Sequence, residues 1–153
     1  MFKTAVNKEL HELLKKIKQH RVSHIFCESI EKIIAMYPYY KDVISKPIDL
    51  VIIEKKVINK EYPSAEDFKN DIYLMLNNCR TFNSTIENYI KIADTLQSFF
   101  DNNFKKTEAK IAKNIEKLEQ LRAIDNGHKI AMVKVVSKSF GIDTQADLDN
   151  AIR

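Results

Sequence analysis

The sequence predicts an all-α protein: a four-helix bundle with a long loop between its first two helices and a helical extension at its C-terminal end. Three observations predict it. Apolar residues recur at spacings of three and four over most of the 153 residues. Glycine is almost missing: there are two, Gly127 and Gly141, and none in residues 1–126, which suits β-hairpins badly because their turns draw on residues with positive φ. Side-chain capping residues stand where helices without glycine must begin.

The elements follow in order. Val6, Leu10, Leu13, Leu14 and Ile17 form one apolar stripe on a first helix of about residues 4–22. The stretch HIFCESIEKIIAMYPYYKDVISKP, which contains Pro38 and ends at Pro47, has aromatic and apolar residues at no clean period. It is expected to be a long ordered loop, and apolar loops of that length in compact domains are usually functional. A second helix follows, with Asp49 as its N-cap and Leu50, Ile53 and Val57 on one face. The third opens at Pro63-Ser64, where Ser64 and Asp67 make a capping box, and its core face is Phe68, Ile72, Met75 and Cys79.

Ser84 and Glu87 make a second capping box for a fourth helix carrying Tyr89, Ala93, Leu96 and Phe100. Its stripe continues through Phe104, Ile111, Ile115 and Leu118, so the helix is expected to reach about residue 122, with Asp125-Asn126-Gly127 as its stop. Two short helices are expected beyond it, at 128–140 and 145–152. The organisation read from this is a bundle over residues 1–122 and an extension, 123–153, with no motif of its own.

Composition excludes several classes of function. Without glycine in residues 1–126 there is no phosphate loop and no dinucleotide fingerprint. No apolar run approaches the ~20 residues of a membrane span, and the opening MFKTAVNKEL lacks the apolar core of a secretion signal. Cys27 and Cys79 do not make a disulfide framework, so a reducing, intracellular compartment is expected. His20 and His24 are spaced i, i+4, but no further ligand completes a metal set. Cys79 falls on a core face, and no histidine is placed by sequence to activate Cys27. Nothing points to an enzyme or a cofactor.

The segments PYYKDVISKPIDL (38–50), EYPSAEDFKNDIYLMLNNCRTFN (61–83) and NYIKIADTLQSFF (88–100) closely resemble the bromodomain family. In that pattern a tyrosine-containing loop ends in Pro-Met-Asp-Leu, and a helix runs to Asn-Cys-x-x-Tyr-Asn. A helix with Ala-x-x-Leu-x-x-x-Phe follows. Here Pro47-Ile48-Asp49-Leu50, Tyr62, Phe68, Asp71, Asn78-Cys79, Phe82-Asn83, Ala93, Leu96 and Phe100 stand in register. The resemblance covers roughly residues 5–110. It implies a left-handed four-helix bundle that reads acetylated lysine in a pocket between two loops, without catalysis and in the nucleus.

The resemblance also implies site residues. Asn83 matches the asparagine that donates to the acetyl carbonyl; the structural alternative is a helix-ending asparagine in left-handed backbone. Tyr40 matches the tyrosine that reaches the same carbonyl through water. Phe26, Ile30, Ala35, Tyr37, Ile44 and Phe82 are expected as pocket wall or as core, and Tyr89 as the gatekeeper at the mouth. The pattern is not complete. His24-Ile25-Phe26 stands where the family often has Trp-Pro-Phe, Ser29 replaces a usual proline, and Phe82 replaces the commoner tyrosine.

The expected partner is an acetylated histone or other acetyl-lysine peptide. Residues 22–104 hold nine basic against twelve acidic side chains, an acidic module suited to Lys/Arg-rich tails. Residues 1–21 hold six against two, and residues 105–138 nine against four, so these basic flanking helices are the expected place for any DNA contact. A scaffold role with an unused pocket is the alternative reading.

Overall fold

Eighteen residues with one apolar stripe make the first helix, α1 (Phe2–Gln19), and that stripe is where the core begins: Leu10, Leu13, Leu14 and Ile17 are all buried. The computed structural model describes residues 2–127; the helices expected at 128–140 and 145–152 lie outside the described residues. The chain divides into two compact units, Met1–Ile115 and Glu116–Arg153. The first holds everything from α1 to most of the last helix, whose final turns, from Glu116, belong to the second.

The loop expected after α1 is not irregular. It holds a 3-10 turn at Ser23–Phe26 and two short helices, α2 (Ile30–Met36) and α3 (Tyr40–Val43). Both helices are too brief for a periodic signal to accumulate, which is why the sequence pattern reads as a loop. Ser29 caps α2 by accepting from the Glu31 N–H, so the serine that replaces a proline has a local task. The segment also carries a small core of its own. Ile30, Tyr40 and Ile44 are buried together, with Ile33, Ile34, Ile52 and Phe82 packed against them.

The three remaining helices are α4 (Leu50–Ile58), α5 (Ala65–Phe82) and α6 (Glu87–Asp125). Asp49 and Ser64 cap α4 and α5 as expected, at 2.7 Å to the Ile52 N–H and 3.2 Å to the Asp67 N–H. The fourth long helix departs from expectation at its start. A turn closed by the Ile86 N–H on the Asn83 carbonyl places Ile86, not Ser84, ahead of the first helical residue. The capping box expected at Ser84 and Glu87 is therefore out of register. At the other end α6 runs to Asp125, and Gly127 at φ +79° donates back to the Ile124 carbonyl, a glycine stop of the expected kind.

The main core joins all four long helices. Leu50, Ile53 and Val57 of α4, Phe68, Ile72, Met75 and Leu76 of α5, and Ala93, Leu96, Phe100 and Phe104 of α6 close over the α1 stripe. Polar ties set the helices in register. Tyr62 donates to Asp71 at 2.7 Å, and Lys56 reaches the same oxygen. Burial and that hydrogen bond hold the Tyr62 hydroxyl far above its ordinary titration range. Tyr73 donates to Asp101 and is pushed up to about 12 by that bond, with burial adding.

Asp49 does more than cap. It is buried, and while one oxygen accepts from Ile52, the other accepts from the Ile30 N–H at 2.6 Å. The start of α2 and the start of α4 thus hang on one carboxylate. Asp49→Ala strands both amides, so we expect it to cost about 2–4 kcal/mol, the sum of a lost cap and a lost charged hydrogen bond. The midpoint of urea unfolding measures it; an unchanged midpoint would refute the role.

Candidate functional site

At the end of the bundle where α5 passes into α6, the α2–α3 segment and the helix ends border a cavity of about 600 Å³. Its walls are mostly apolar. Phe26, Ile25 and Ile48 line one side; Ile30, Ile33 and Met36 of α2 another; Met75, Cys79 and Phe82 of α5 the floor; Ile86 and Tyr89 the entrance to α6. Two interactions hold the segment in place. Asp49 fixes its inner end, and Asn78 of α5 donates to the Lys46 carbonyl at 2.8 Å.

Asn83 sits where α5 ends. Its backbone N–H and its side-chain Nδ2 both donate to the Cys79 carbonyl, at 3.1 and 3.0 Å. The backbone is at φ −107°, ψ 33°, so the alternative of a left-handed helix-ending asparagine does not apply. The amide is anchored on Cys79, with Nδ2 at 3.0 Å from the carbonyl oxygen and 3.9 Å from Sγ; the long sulfur contact is the weaker of the two, and a ligand oxygen can take over that hydrogen. An amide fixed in this way has already lost its rotamer freedom before a ligand arrives.

Tyr40 is 5% exposed and borders the same cavity. Burial, with Cys79 and Asp49 adding, raises the Tyr40 hydroxyl above its ordinary range, so it stays protonated and able to donate. It forms no hydrogen bond with the described residues, and no fully buried side-chain oxygen or nitrogen among them lacks a partner; the hydroxyl therefore opens onto the cavity. The Cys79 thiol is likewise pushed up by burial, against smaller lowering from the Asn83 amide and Arg80. It is held as a neutral thiol, its Sγ 3.8 Å from the Tyr89 carbonyl.

Phe82 organises the aromatic wall. Its ring centroid lies 4.6 Å from that of Tyr40, 5.5 Å from Tyr39 and 6.0 Å from Tyr37. Tyr37 and Tyr39 are exposed at the rim, and Tyr89 is partly exposed across the mouth. The charged groups at the cavity are few. Both Asp49 oxygens are occupied by backbone amides, whereas Glu28 and His24 are exposed at the edge.

Of the nine residues expected at the site, the structure brings seven to the cavity: Asn83, Tyr40, Tyr89, Phe26, Ile30, Tyr37 and Phe82. Ile44 is core, buried at 3% behind Tyr40. Ala35 is exposed and does not line the cavity. The reason is helical phase: Ile30, Ile33 and Ile34 share a face, and a residue five positions on from Ile30 turns about 140° away. Sequence reasoning missed Tyr39, Ile48, Met75 and Ile33. Met75 and Cys79 had a signal, since they precede Asn83 by eight and four residues on one stripe of α5. Beyond the cavity, His20 and His24 do not converge: the His20 ring packs on Phe99 in a tilted contact at 4.5 Å, and His24 bonds the Arg21 carbonyl.

Comparison with known proteins places this arrangement. The family model described as Bromodomain matches residues 10–95. The chain is 30% identical over 95 residues to Bromodomain-containing factor 1 of Candida albicans, covering 62% of this chain and 13% of that protein. It is 37% identical over 90 residues to a Nucleosome-remodeling factor subunit NURF301-like protein of Caenorhabditis elegans, covering 59% and 4%. The chain thus spans a small part of the curated relatives it matches. Among solved structures, the bromodomain of human BAZ1A superposes with a TM-score of 0.60 at 35% identity, over 65% of this chain and 92% of that one. A match of another kind is short: 39 residues, 26% of this chain, are 62% identical to 16% of 3-deoxy-manno-octulosonate cytidylyltransferase of Wolinella succinogenes. That stretch is below the size at which a segment usually folds alone. The all-helical fold and the match over residues 10–95 show that this chain belongs to the bromodomain family.

Proposed function

We propose that this chain is a non-catalytic reader of acetylated lysine, acting on histone tails in the nucleus, with Asn83 and Tyr40 recognising the acetyl group. Bromodomains are readers of acetyl-lysine in chromatin factors generally; the histone partner and the roles of individual side chains are our reading. The observation that carries it is Asn83: an amide anchored on the Cys79 carbonyl, its other contact a long one to sulfur, at the border of an apolar cavity.

The chemistry follows from the ligand. Acetyl-lysine ends in a neutral amide on a four-carbon stem, so it needs apolar walls and a small number of fixed polar groups. Asn83 Nδ2 donates to the acetyl oxygen, and the Tyr40 hydroxyl reaches the same oxygen through a water molecule. Phe26, Ile30, Ile48 and Met75 close around the methyl and the stem, while Tyr89 lies along the stem at the mouth. Unmodified lysine is refused on cost. Its ammonium would give up hydration for apolar walls and donors, because the one carboxylate inside, Asp49, is already saturated. Glu28 is exposed at the rim, where a carboxylate favours the basic residues that flank lysines in histone tails.

The departures from the family pattern shift where the ligand is gripped. With His24-Ile25 in place of Trp-Pro, that side offers less aromatic surface. The opposite rim carries Tyr37, Tyr39 and Phe82 instead.

Calorimetric titration of acetylated against unmodified histone-tail peptides tests the reading. Asn83→Ala is expected to weaken acetyl-peptide binding by about 1–3 kcal/mol, since the buried carbonyl goes unpaired. Tyr40→Phe is expected to cost less, about 0.5–1.5 kcal/mol, because a water keeps part of its bonding. Equal affinity for modified and unmodified peptides would refute the proposal. A second measurement uses the two thiols. Half-buried Cys27 should alkylate before Cys79, whose thiol is buried and held protonated. Saturating acetyl-peptide should slow Cys79 labelling further and leave Cys27 unchanged, as read by mass spectrometry of the intact chain; equal slowing of both would count against a ligand in this cavity.

A further inference from the structure

Outside the cavity, helices α1 and α6 run antiparallel side by side. Asn114 donates to Glu9 at one end of their seam, and the His20 ring packs on Phe99 at the other. At the His20 end lies a second, shallow hollow of about 420 Å³, lined by Lys16, Gln19, His20, Arg21 and Phe99. Helical phase extends it. At 100° per residue, Lys106 and Lys110 fall within about 20° of Phe99 on α6, and Asn103 and Lys113 within about 40°. Asn103 is already tied to the Phe99 carbonyl at 2.8 Å.

The result is a strip of five cations: Lys16 on α1, Arg21 in the turn after it, and Lys106, Lys110 and Lys113 on α6. All five side chains are exposed, and none is in an ion pair among the described residues. Other described cations also lack an ion pair; what distinguishes these five is that the α1–α6 seam gathers them on one face. The two acids on the same α1 stripe, Glu9 and Glu12, are engaged with Asn114 and Lys15.

We propose that this α1–α6 strip is a nucleic-acid backbone contact. A duplex presents charge at regular short intervals along a stiff line, and the strip extends about 21 Å from the level of Phe99 to Lys113 at 1.5 Å per residue. An acidic peptide would need pockets for side chains, and here only the Phe99 hollow offers apolar contact. Gln19, Asn103 and His20 supply further side-chain donors between the cations, the mixture that phosphate oxygens and sugars accept. The strip also lies beside the reader cavity. Arg21 is three residues before His24, which borders that cavity, so the two sites are at most ~10 Å apart along the chain there. The proposal stands whether or not the cavity binds acetyl-lysine.

The test is fluorescence anisotropy of a labelled 20-base-pair duplex of arbitrary sequence with the full chain, between 50 and 200 mM salt. Affinity should fall with salt at a log–log slope of roughly −3 to −5, as expected for three to five phosphate contacts. The pairs Lys16→Glu with Arg21→Glu, and Lys106→Glu with Lys110→Glu, should each weaken binding at least about tenfold and flatten the slope. All four side chains are exposed, and an unchanged circular dichroism spectrum confirms that the variants fold. Asn83→Ala should bind the duplex as the parent does. Three results would overturn the proposal: no binding at 50 mM salt, binding that survives both charge-reversed pairs, or equal competition by poly-glutamate.

Discussion

One buried carboxylate decides whether this protein has a site. Asp49 accepts from the Ile30 and Ile52 amides at 2.6 and 2.7 Å, and it joins a segment with a very small core to a helix held by a large one. Ile30, Tyr40 and Ile44 alone bury too little surface to order some twenty residues against their conformational entropy. The segment instead borrows order from the bundle at two fixed points, Asp49 and the Asn78 bond to Lys46. Between those points Tyr40 packs on Phe82 of α5, and the space beside that contact is the cavity. The cavity is therefore a consequence of holding a segment at a few points, two polar and one aromatic, and not by continuous packing.

The same economy explains how polar groups can face an apolar space. Asn83 and Tyr40 keep hydrogen-bonding capacity inside the cavity because their neighbours restrain them by other means. Asn83 is fixed by the Cys79 carbonyl and Tyr40 by burial against Phe82. Had either been satisfied fully within the protein, the cavity would be only a hydrophobic hollow. Had either been unrestrained, binding would have to order it first.

The long helices were legible because each presents enough residues to show a period, and α4 and α5 also start on a side chain that accepts from their own first turn. Leu50, Ile53 and Val57, and Phe68, Ile72 and Met75, sit where their spacing puts them. The α2–α3 segment was not legible, because seven and four residues divide their apolar side chains between a local core and a cavity wall. Ala35 shows the result: without a visible helix there was no phase to turn it outward. Ser84 failed for a related reason. The turn from Asn83 to Ile86 is set by how α5 must end at the cavity, and tertiary position overrode a good local cap. Asn83, Tyr40 and Tyr89 were placed by resemblance to a family pattern. Composition and spacing alone would have left Asn83 as one helix end among several.

Charge was legible as a sum but not as a surface. A net charge of +4 over 153 residues conveys little. The fold converts it into two distinct regions. At the cavity, both oxygens of the inner carboxylate are taken up by backbone amides and Glu28 is left at the rim, the arrangement on which the proposed preference for a basic, acetylated tail rests. Along α1 and α6 the antiparallel seam aligns cations from two sequence regions that are far apart in the chain. Because α1 hands directly to the turn that enters the cavity, the sign of the surface changes within a few residues of Arg21. On the two proposals above, a basic, acetylated tail emerging from a polyanion would be one object for both regions. A second weak contact on such an object raises the effective concentration of the first, so neither region has to bind tightly alone.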